Sequence, residues 1–228
     1  AVGTVPWWNE HVWPHLKDGN ADGEHGTFSE SRCVAATTAR PDEGLVCDAA
    51  GTITQVRLRD EDVHPPYELS GTLPPILGEM TGLGVLYISD NPFRGTLPDE
   101  LGNATALTQL AISSARLSGT LPSTLVQLTR MRFMYVTRGA ISGTLPVAML
   151  DAMSDTLEHL HLSDLSLDGT VPHVVGRLAR LRRLDIKGNA LDGELPWALF
   201  ANLTQLEVLS VSRNAFSGTV SSLVGELA

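Results

Sequence analysis

The stretch "HLH" at His159–His161 sets two imidazoles two positions apart, and on an extended strand that spacing puts both on one side. Two imidazoles joined by a carboxylate can hold zinc, and an imidazole between a phenol and a carboxylate can relay a proton. Asp185 and Tyr135 are the carboxylate and phenol that the repeat described below places beside His161. The sequence offers no clear fourth zinc ligand and no nucleophile-elbow, phosphate-loop or metalloprotease pattern, so no metal, no cofactor and no catalytic residue are expected. The remaining residues with chemistry of their own are the two cysteines, Cys33 and Cys47, and the sequons "NAT" at Asn103 and "NLT" at Asn202. In a cytosolic chain the cysteines would read as two thiols. In a secreted one they read as a disulfide closing a short loop, worth about 3 kcal/mol of chain entropy, with the two asparagines as glycosylation acceptors.

Those side chains need elements to position them, and the elements announce themselves by repetition. A near-copy of "GTLP" recurs at Gly71, Gly95, Gly119 and Gly143, then as "GTVP" at Gly169 and "GELP" at Gly193. With Gly218 the glycines are spaced 24, 24, 24, 26, 24 and 25 residues apart, a period that marks a solenoid. Upstream of each glycine runs a second pattern, clearest in "LGVLYISDNPFRG" and repeated in "LTQLAISSARLSG", "MRFMYVTRGAISG", "LEHLHLSDLSLDG", "LRRLDIKGNALDG" and "LEVLSVSRNAFSG". The alternation L-x-L predicts a short strand with its aliphatics inward and the intervening residues outward. One such unit cannot bury its apolar face alone, but stacked units form a parallel sheet over a continuous core. Downstream, Leu77, Leu101, Leu125, Met149, Val175, Leu199 and Val224 are expected to line the opposite side of that core. The "GTLP" motif is expected to be the turn between the two sides, with glycine supplying an unusual backbone conformation and proline ending the ladder.

The combined pattern resembles the plant-type extracellular leucine-rich-repeat family, which includes receptor ectodomains and polygalacturonase-inhibiting proteins. The resemblance covers about residues 53 to 228, and "CVAATTARPDEGLVCDAAGTITQVRL" resembles that family's N-terminal cap, although a tryptophan usual between the cysteines is missing. It implies an α/β-type repeat solenoid, a right-handed leucine-rich-repeat with short parallel strands on the concave face and turns or short 3-10 helices on the convex face. The asparagine column is kept at Asn91, Asn189 and Asn214 but reads Ala115, Gly139 and Leu165 in the middle repeats. With "LSGTLP", "ISGTLP" and a preference for Arg over Lys, this also resembles the surface leucine-rich-repeat proteins of trypanosomatid parasites, of the promastigote surface antigen type.

Composition narrows the partners. The 16 Lys and Arg against 26 Asp and Glu give a net charge of −10, which argues against nucleic acid, whose binders place cations on phosphates. There is no run of eighteen apolar residues to span a bilayer. Residues 1–52 read as an N-terminal cap with a short helix carrying Val5, Trp8, Val12 and Leu16 on one side, and 53–228 as about seven repeats, the last unfinished. The insertion "RDEDVHPPYELSG" reads as a stiff acidic surface loop. An unfinished repeat leaves core open, so the natural chain is expected to continue beyond Ala228, where any membrane attachment would lie.

The residues between strand aliphatics form the outward surface. Tyr87, Phe133 and Tyr135, flanked by His159, His161, Arg183, Asp185 and Lys187, are the candidate partner-binding patch, because aromatics bury large area with few rotors. The expected function is an extracellular or cell-surface module that binds a protein or glycan through its concave face, as a surface antigen, adhesin or receptor ectodomain. The alternative is a secreted enzyme inhibitor of the polygalacturonase-inhibiting kind.

Overall fold

The computed structural model describes residues 34–35, 44–50, 52–59, 71–89, 93–113 and 116–219, together forming a two-sheeted solenoid. The helix expected near the N-terminus, Cys33, the acidic insertion, Asn91, Ala115 and Val224 lie outside the described residues. The first sheet has nine strands: β1 (Val34–Ala35), β2 (Gly44–Cys47), β3 (Ile53–Arg59), β4 (Val85–Ser89), β6 (Gln109–Ser113), β8 (Phe133–Thr137), β10 (His159–His161), β12 (Arg183–Asp185) and β14 (Val208–Ser210), in that spatial order. From β3 onward every pairing is parallel and in register, so Leu86, Leu110, Met134, Leu160, Leu184 and Leu209 follow one another across the sheet. The alternation seen in the sequence explains this directly: Leu86 and Ile88, Leu110 and Ile112, and Met134 and Val136 are buried, while the residues between them face outward.

The far side of each repeat is a single helical turn. Short 3-10 helices span Pro75–Glu79, Asp99–Asn103, Ser123–Gln127 and His173–Arg177, and α-helical turns α1 (Val147–Ala152) and α2 (Trp197–Phe200) replace them in two repeats. Leu77, Leu101, Leu125, Met149 and Val175 from these turns are buried as expected, in one core cluster with the strand aliphatics. The helical turns stack closely enough that a Cβ on Gly102 would lie 2.3 Å from the carbonyl oxygen of Thr124. No helix among the described residues is long and apolar enough to cross a membrane.

Two features depart from the expected plan. The first concerns the glycine motif, which is not simply a turn. A second parallel sheet has five strands, β5 (Arg94–Gly95), β7 (Arg116–Thr120), β9 (Ala140–Thr144), β11 (Ser166–Thr170) and β13 (Ala190–Asp192), and the Gly-Thr half of the motif lies inside β7, β9 and β11. Leu117, Ile141, Leu167 and Leu191 point from these strands into the core, and only the Leu-Pro half turns the chain towards the helical side. Gly119 sits here at φ +83, and the place its Cβ would occupy is 2.7 Å from the Cγ2 of Thr96 in the preceding repeat. The glycine therefore serves both a left-handed backbone and close repeat-to-repeat packing.

The second departure is that the cap and the first repeat share a sheet. Strand β2 runs antiparallel to β3, pairing Leu45 with Val56, and β1 runs parallel to β2. Cys47, at the end of β2, is buried and is not a free thiol. Asp48 closes the following turn, its Oδ1 accepting from the amides of Ala50 and Thr52, each at 2.9 Å.

The asparagine column does what its position requires where it survives. The Asn189 Nδ2 donates to the carbonyls of Leu162 at 2.7 Å and Ile186 at 3.0 Å, while its Oδ1 accepts from the Leu167 amide at 3.1 Å. Asn214 repeats the arrangement one turn on, to Ile186, Val211 and Leu191. Gly139 has no side chain to donate, and Leu165 is buried as part of the core instead.

Gly119→Ala forces an L side chain into a left-handed backbone against Thr96 and is expected to lower unfolding stability by about 1–3 kcal/mol in urea denaturation. Gly84→Ala, where a Cβ meets nothing nearer than 3.6 Å, is expected to leave the midpoint unchanged or slightly raised.

Candidate functional site

Register places the candidate residues in two columns across the first sheet. One runs Gln55, Val85, Gln109, Phe133, His159, Arg183, Val208; the next runs Arg57, Tyr87, Ala111, Tyr135, His161, Asp185, Ser210. Because strands in such a sheet sit about 4.8 Å apart, side chains in one column on adjacent strands are in contact range.

Strands β8, β10 and β12 carry a continuous cluster. The Phe133 ring meets His159 edge-on at 4.9 Å between centroids, and Tyr135 lies tilted against His161 at 4.4 Å. The Tyr135 hydroxyl and His159 Nδ1 are hydrogen-bonded diagonally at 2.6 Å. Such ring pairs add roughly 0.5–1.5 kcal/mol each beyond their area burial. Tyr87 stands apart, with Ala111 between it and Tyr135. Its hydroxyl bonds to Gln109 Oε1, and the Arg57 guanidinium covers its ring at 4.8 Å.

The columns do not assemble the proton relay that their order suggests. Tyr135 spends its hydroxyl on His159 rather than His161. Asp185 Oδ1 accepts from the backbone amide of Lys187 at 3.1 Å, and Oδ2 lies 3.5 Å from Lys187 Nζ. His161 Nε2 is buried with no hydrogen-bond partner. Among the described residues no group of three or more histidines, cysteines or carboxylates is arranged to hold a metal ion.

Asp185 also departs from the expectation of an outward-facing charge, being only 9% exposed, as does Ser163 in the next outward position of β10's repeat. Strands β10 and β12 are only three residues long, and the chain turns soon after them, at Asp164 (φ +53) and Gly188 (φ +67). These positions therefore belong to the turn as much as to the strand.

Burial dominates the titration of the cluster. Desolvation holds both imidazoles below the ordinary histidine value, helped by Arg183, and for His161 opposed by Asp185. Burial likewise raises the Tyr135 phenol. At neutral pH the cluster is an uncharged aromatic and imidazole platform bordered by Arg183 and the Asp185–Lys187 pair.

Four residues of the surroundings lie outside the candidate patch: Gln109, Arg57, Arg132 and Glu158. The last two belong to a rim one position before the strand columns, where Arg132, Glu158, Arg182 and Glu207 alternate in charge. Arg132 Nε donates to Glu158 Oε1 at 2.8 Å and Arg182 Nη1 to Glu207 Oε1 at 3.2 Å, while the Arg132 guanidinium also covers the Phe133 ring at 5.2 Å. The hydrogen bond from Arg132 holds the Glu158 carboxyl below its usual range. The alternation is present in the sequence, one position outside the L-x-L alternation that marks the outward residues.

With fold and surface in view, comparison with known proteins places the chain in a class. Residues 82–104 match the family model described as Leucine Rich Repeat, and the solenoid is a leucine-rich-repeat fold. No curated protein matches the chain. Among solved structures it is similar to the ectodomain of the plant membrane receptor kinase GASSHO1/SCHENGEN3 from Arabidopsis thaliana, in complex with CASPARIAN STRIP INTEGRITY FACTOR 2, at 26% identity and a TM-score of 0.68 over 81% of this chain. It is similar to PEPR1 in the PEPR1–AtPEP1 complex at 27% identity and 0.70 over 85%. The ectodomain of the Arabidopsis receptor kinase HAESA, bound to an IDA peptide hormone ligand, matches at 25% identity and 0.69 over 81%. The chain spans 27%, 26% and 30% of those three chains. Two of these structures are ectodomains of Arabidopsis receptor kinases, and none of the three supports the narrower resemblance to trypanosomatid surface antigens.

The Arg132–Glu158 pair is half in solvent, so a double-mutant cycle of Arg132→Met and Glu158→Gln is expected to return a coupling of only about 0.2–1 kcal/mol at pH 7. Because the carboxyl is held low, that coupling is present at neutral pH and fades as pH falls through the carboxylate range.

Proposed function

We propose that this chain is a non-catalytic recognition module, extracellular or at a cell surface, that binds a protein or peptide partner across strands β8, β10 and β12. One observation carries the reading. Phe133, Tyr135, His159 and His161 form a contiguous ring cluster, whereas the same columns hold small side chains at Ala111 and Ser210. A rigid, part-buried aromatic centre with a charged rim is the arrangement that concentrates binding energy in protein interfaces. The likeness to receptor ectodomains, one of them bound to a peptide hormone ligand, supports a peptide or protein in preference to a glycan. The Asp185–Lys187 pair and Arg183 supply polar contacts at the edge.

The extracellular placement rests on three supports. They are the likeness to receptor ectodomains, a buried Cys47 that is not free, and sequons at Asn103 and Asn202 that lie at equivalent exposed positions on the helical flank, away from the ring cluster. Cys33, the chain's other cysteine, is the proposed partner of Cys47, and the parallel pairing of Ala35 with Cys47 brings the two chain segments together.

In a display screen of random peptides, binders selected on the full chain are expected to lose at least tenfold in affinity on Phe133→Ala/Tyr135→Ala, with circular dichroism unchanged. Equal binding to both proteins would remove the patch from the site. For the cysteines, alkylation without reductant is expected to add no alkyl group to the intact mass, and addition of two would exclude the bridge.

A further inference from the structure

His161 is the least settled polar group in the patch. Its Nε2 is buried and has no partner, although its ring is packed against Tyr135 at 4.4 Å. A neutral imidazole tolerates this, because one ring nitrogen then carries no hydrogen. A protonated ring cannot: both nitrogens become donors, and Nε2–H would be buried with no acceptor, at the desolvation penalty of an unmade charge-assisted bond.

Among the groups around the ring, Asp185 alone offers partial relief. From β8 the ring faces Tyr135, with Arg132 at the rim; from its own strand, His159 and Glu158; from β12, Arg183, Asp185 and Lys187; and from β14's rim position, Glu207. Asp185 is the carboxylate that favours a positive ring at His161, and it is engaged with Lys187; Glu158 and Glu207 act on His159 instead and are paired with Arg132 and Arg182. Arg183, Lys187 and a second imidazolium at His159 would oppose a positive His161 ring. Protonation also disturbs the neighbouring bond. Neutral His159 can accept the Tyr135 hydroxyl at Nδ1, whereas charged His159 must donate there, turning the phenol to an acceptor.

We propose that the His159–His161 pair makes the binding patch acid-sensitive: at neutral pH the two uncharged rings hold Phe133 and Tyr135 as a platform, and protonation of His161 breaks the platform and releases the partner. This rests on the patch being the binding site. The depressed histidine values agree in sign with it. A histidine whose folded value is lowered takes up its proton more readily when the packing opens, so the closed platform loses stability as pH falls below about 6.5.

The test needs no ligand and therefore separates the switch from the binding reading. In the labelled full chain, imidazole and tyrosine ring resonances are followed by NMR from pH 8 to 5. The His161 midpoint is expected below about 6.5, and the Tyr135 ring signals are expected to move with that same midpoint. In His161→Gln the Tyr135 response at that midpoint is expected to vanish, and in His173→Gln, on the helical side, to persist. A His161 midpoint at or above 6.5, or Tyr135 signals that stay fixed while His161 titrates, would overturn the proposal. Should His161→Gln fail to fold, the titration of the natural chain decides alone. Loss of peptide binding in the Phe133→Ala/Tyr135→Ala variant bears on the site and not on the switch.

Discussion

The backbone hydrogen bonds that pass from one repeat to the next set the position of every outward side chain. Glu158 N to Arg132 O at 2.8 Å is followed by Arg182 N to Glu158 O at 2.7 Å and Glu207 N to Arg182 O at 2.8 Å. Each repeat is thereby held one strand spacing from its neighbour with no slip. A slip of a single residue would turn the buried leucines outward and the ring cluster inward, and the core of leucine, isoleucine and methionine makes that prohibitive. The same register that buries Met134 and Leu160 fixes Tyr135 beside His161 and Arg132 beside Glu158. Function on this surface is thus a matter of which residues occupy the unrepeated columns.

Much of this was legible because register follows from period. The glycines count off repeats, the L-x-L alternation gives inside and outside, and together they align Tyr135, His161 and Asp185 on neighbouring strands before any coordinates exist. The second sheet was hidden because four of its five strands, β5, β7, β9 and β11, contain a glycine, a residue depleted in strands. Its signal is spread over only Leu117, Gly119 and Thr120 and their counterparts. Thr96 against Gly119 shows why the motif is nonetheless strict there: the threonine methyl of one repeat fills the space that the missing side chain of the next leaves open.

Within the site, alignment was legible and hydrogen bonding was not. Column order suggested a Tyr135–His161–Asp185 relay, but the diagonal reach of Tyr135 takes its hydroxyl to His159, and the turn after β12 brings Lys187 back onto Asp185. Side-chain length and strand ending decide these contacts, and neither is encoded in spacing. What results is a surface whose charged groups pair among themselves along the rim, leaving uncharged rings at the centre. That division, with a desolvated centre and a self-compensated border, suits recognition of a partner that supplies its own apolar and hydrogen-bonding groups.

If a partner sits on β8, β10 and β12, its footprint must appear on those strands. Amide hydrogen exchange on the full chain, with and without a peptide recovered by display, tests it most directly. New protection is expected in residues 132–137, 158–163 and 182–187, with residues 116–120, 140–144 and 166–170 of the second sheet unchanged. Protection confined to the second sheet or to the helical turns would contradict it.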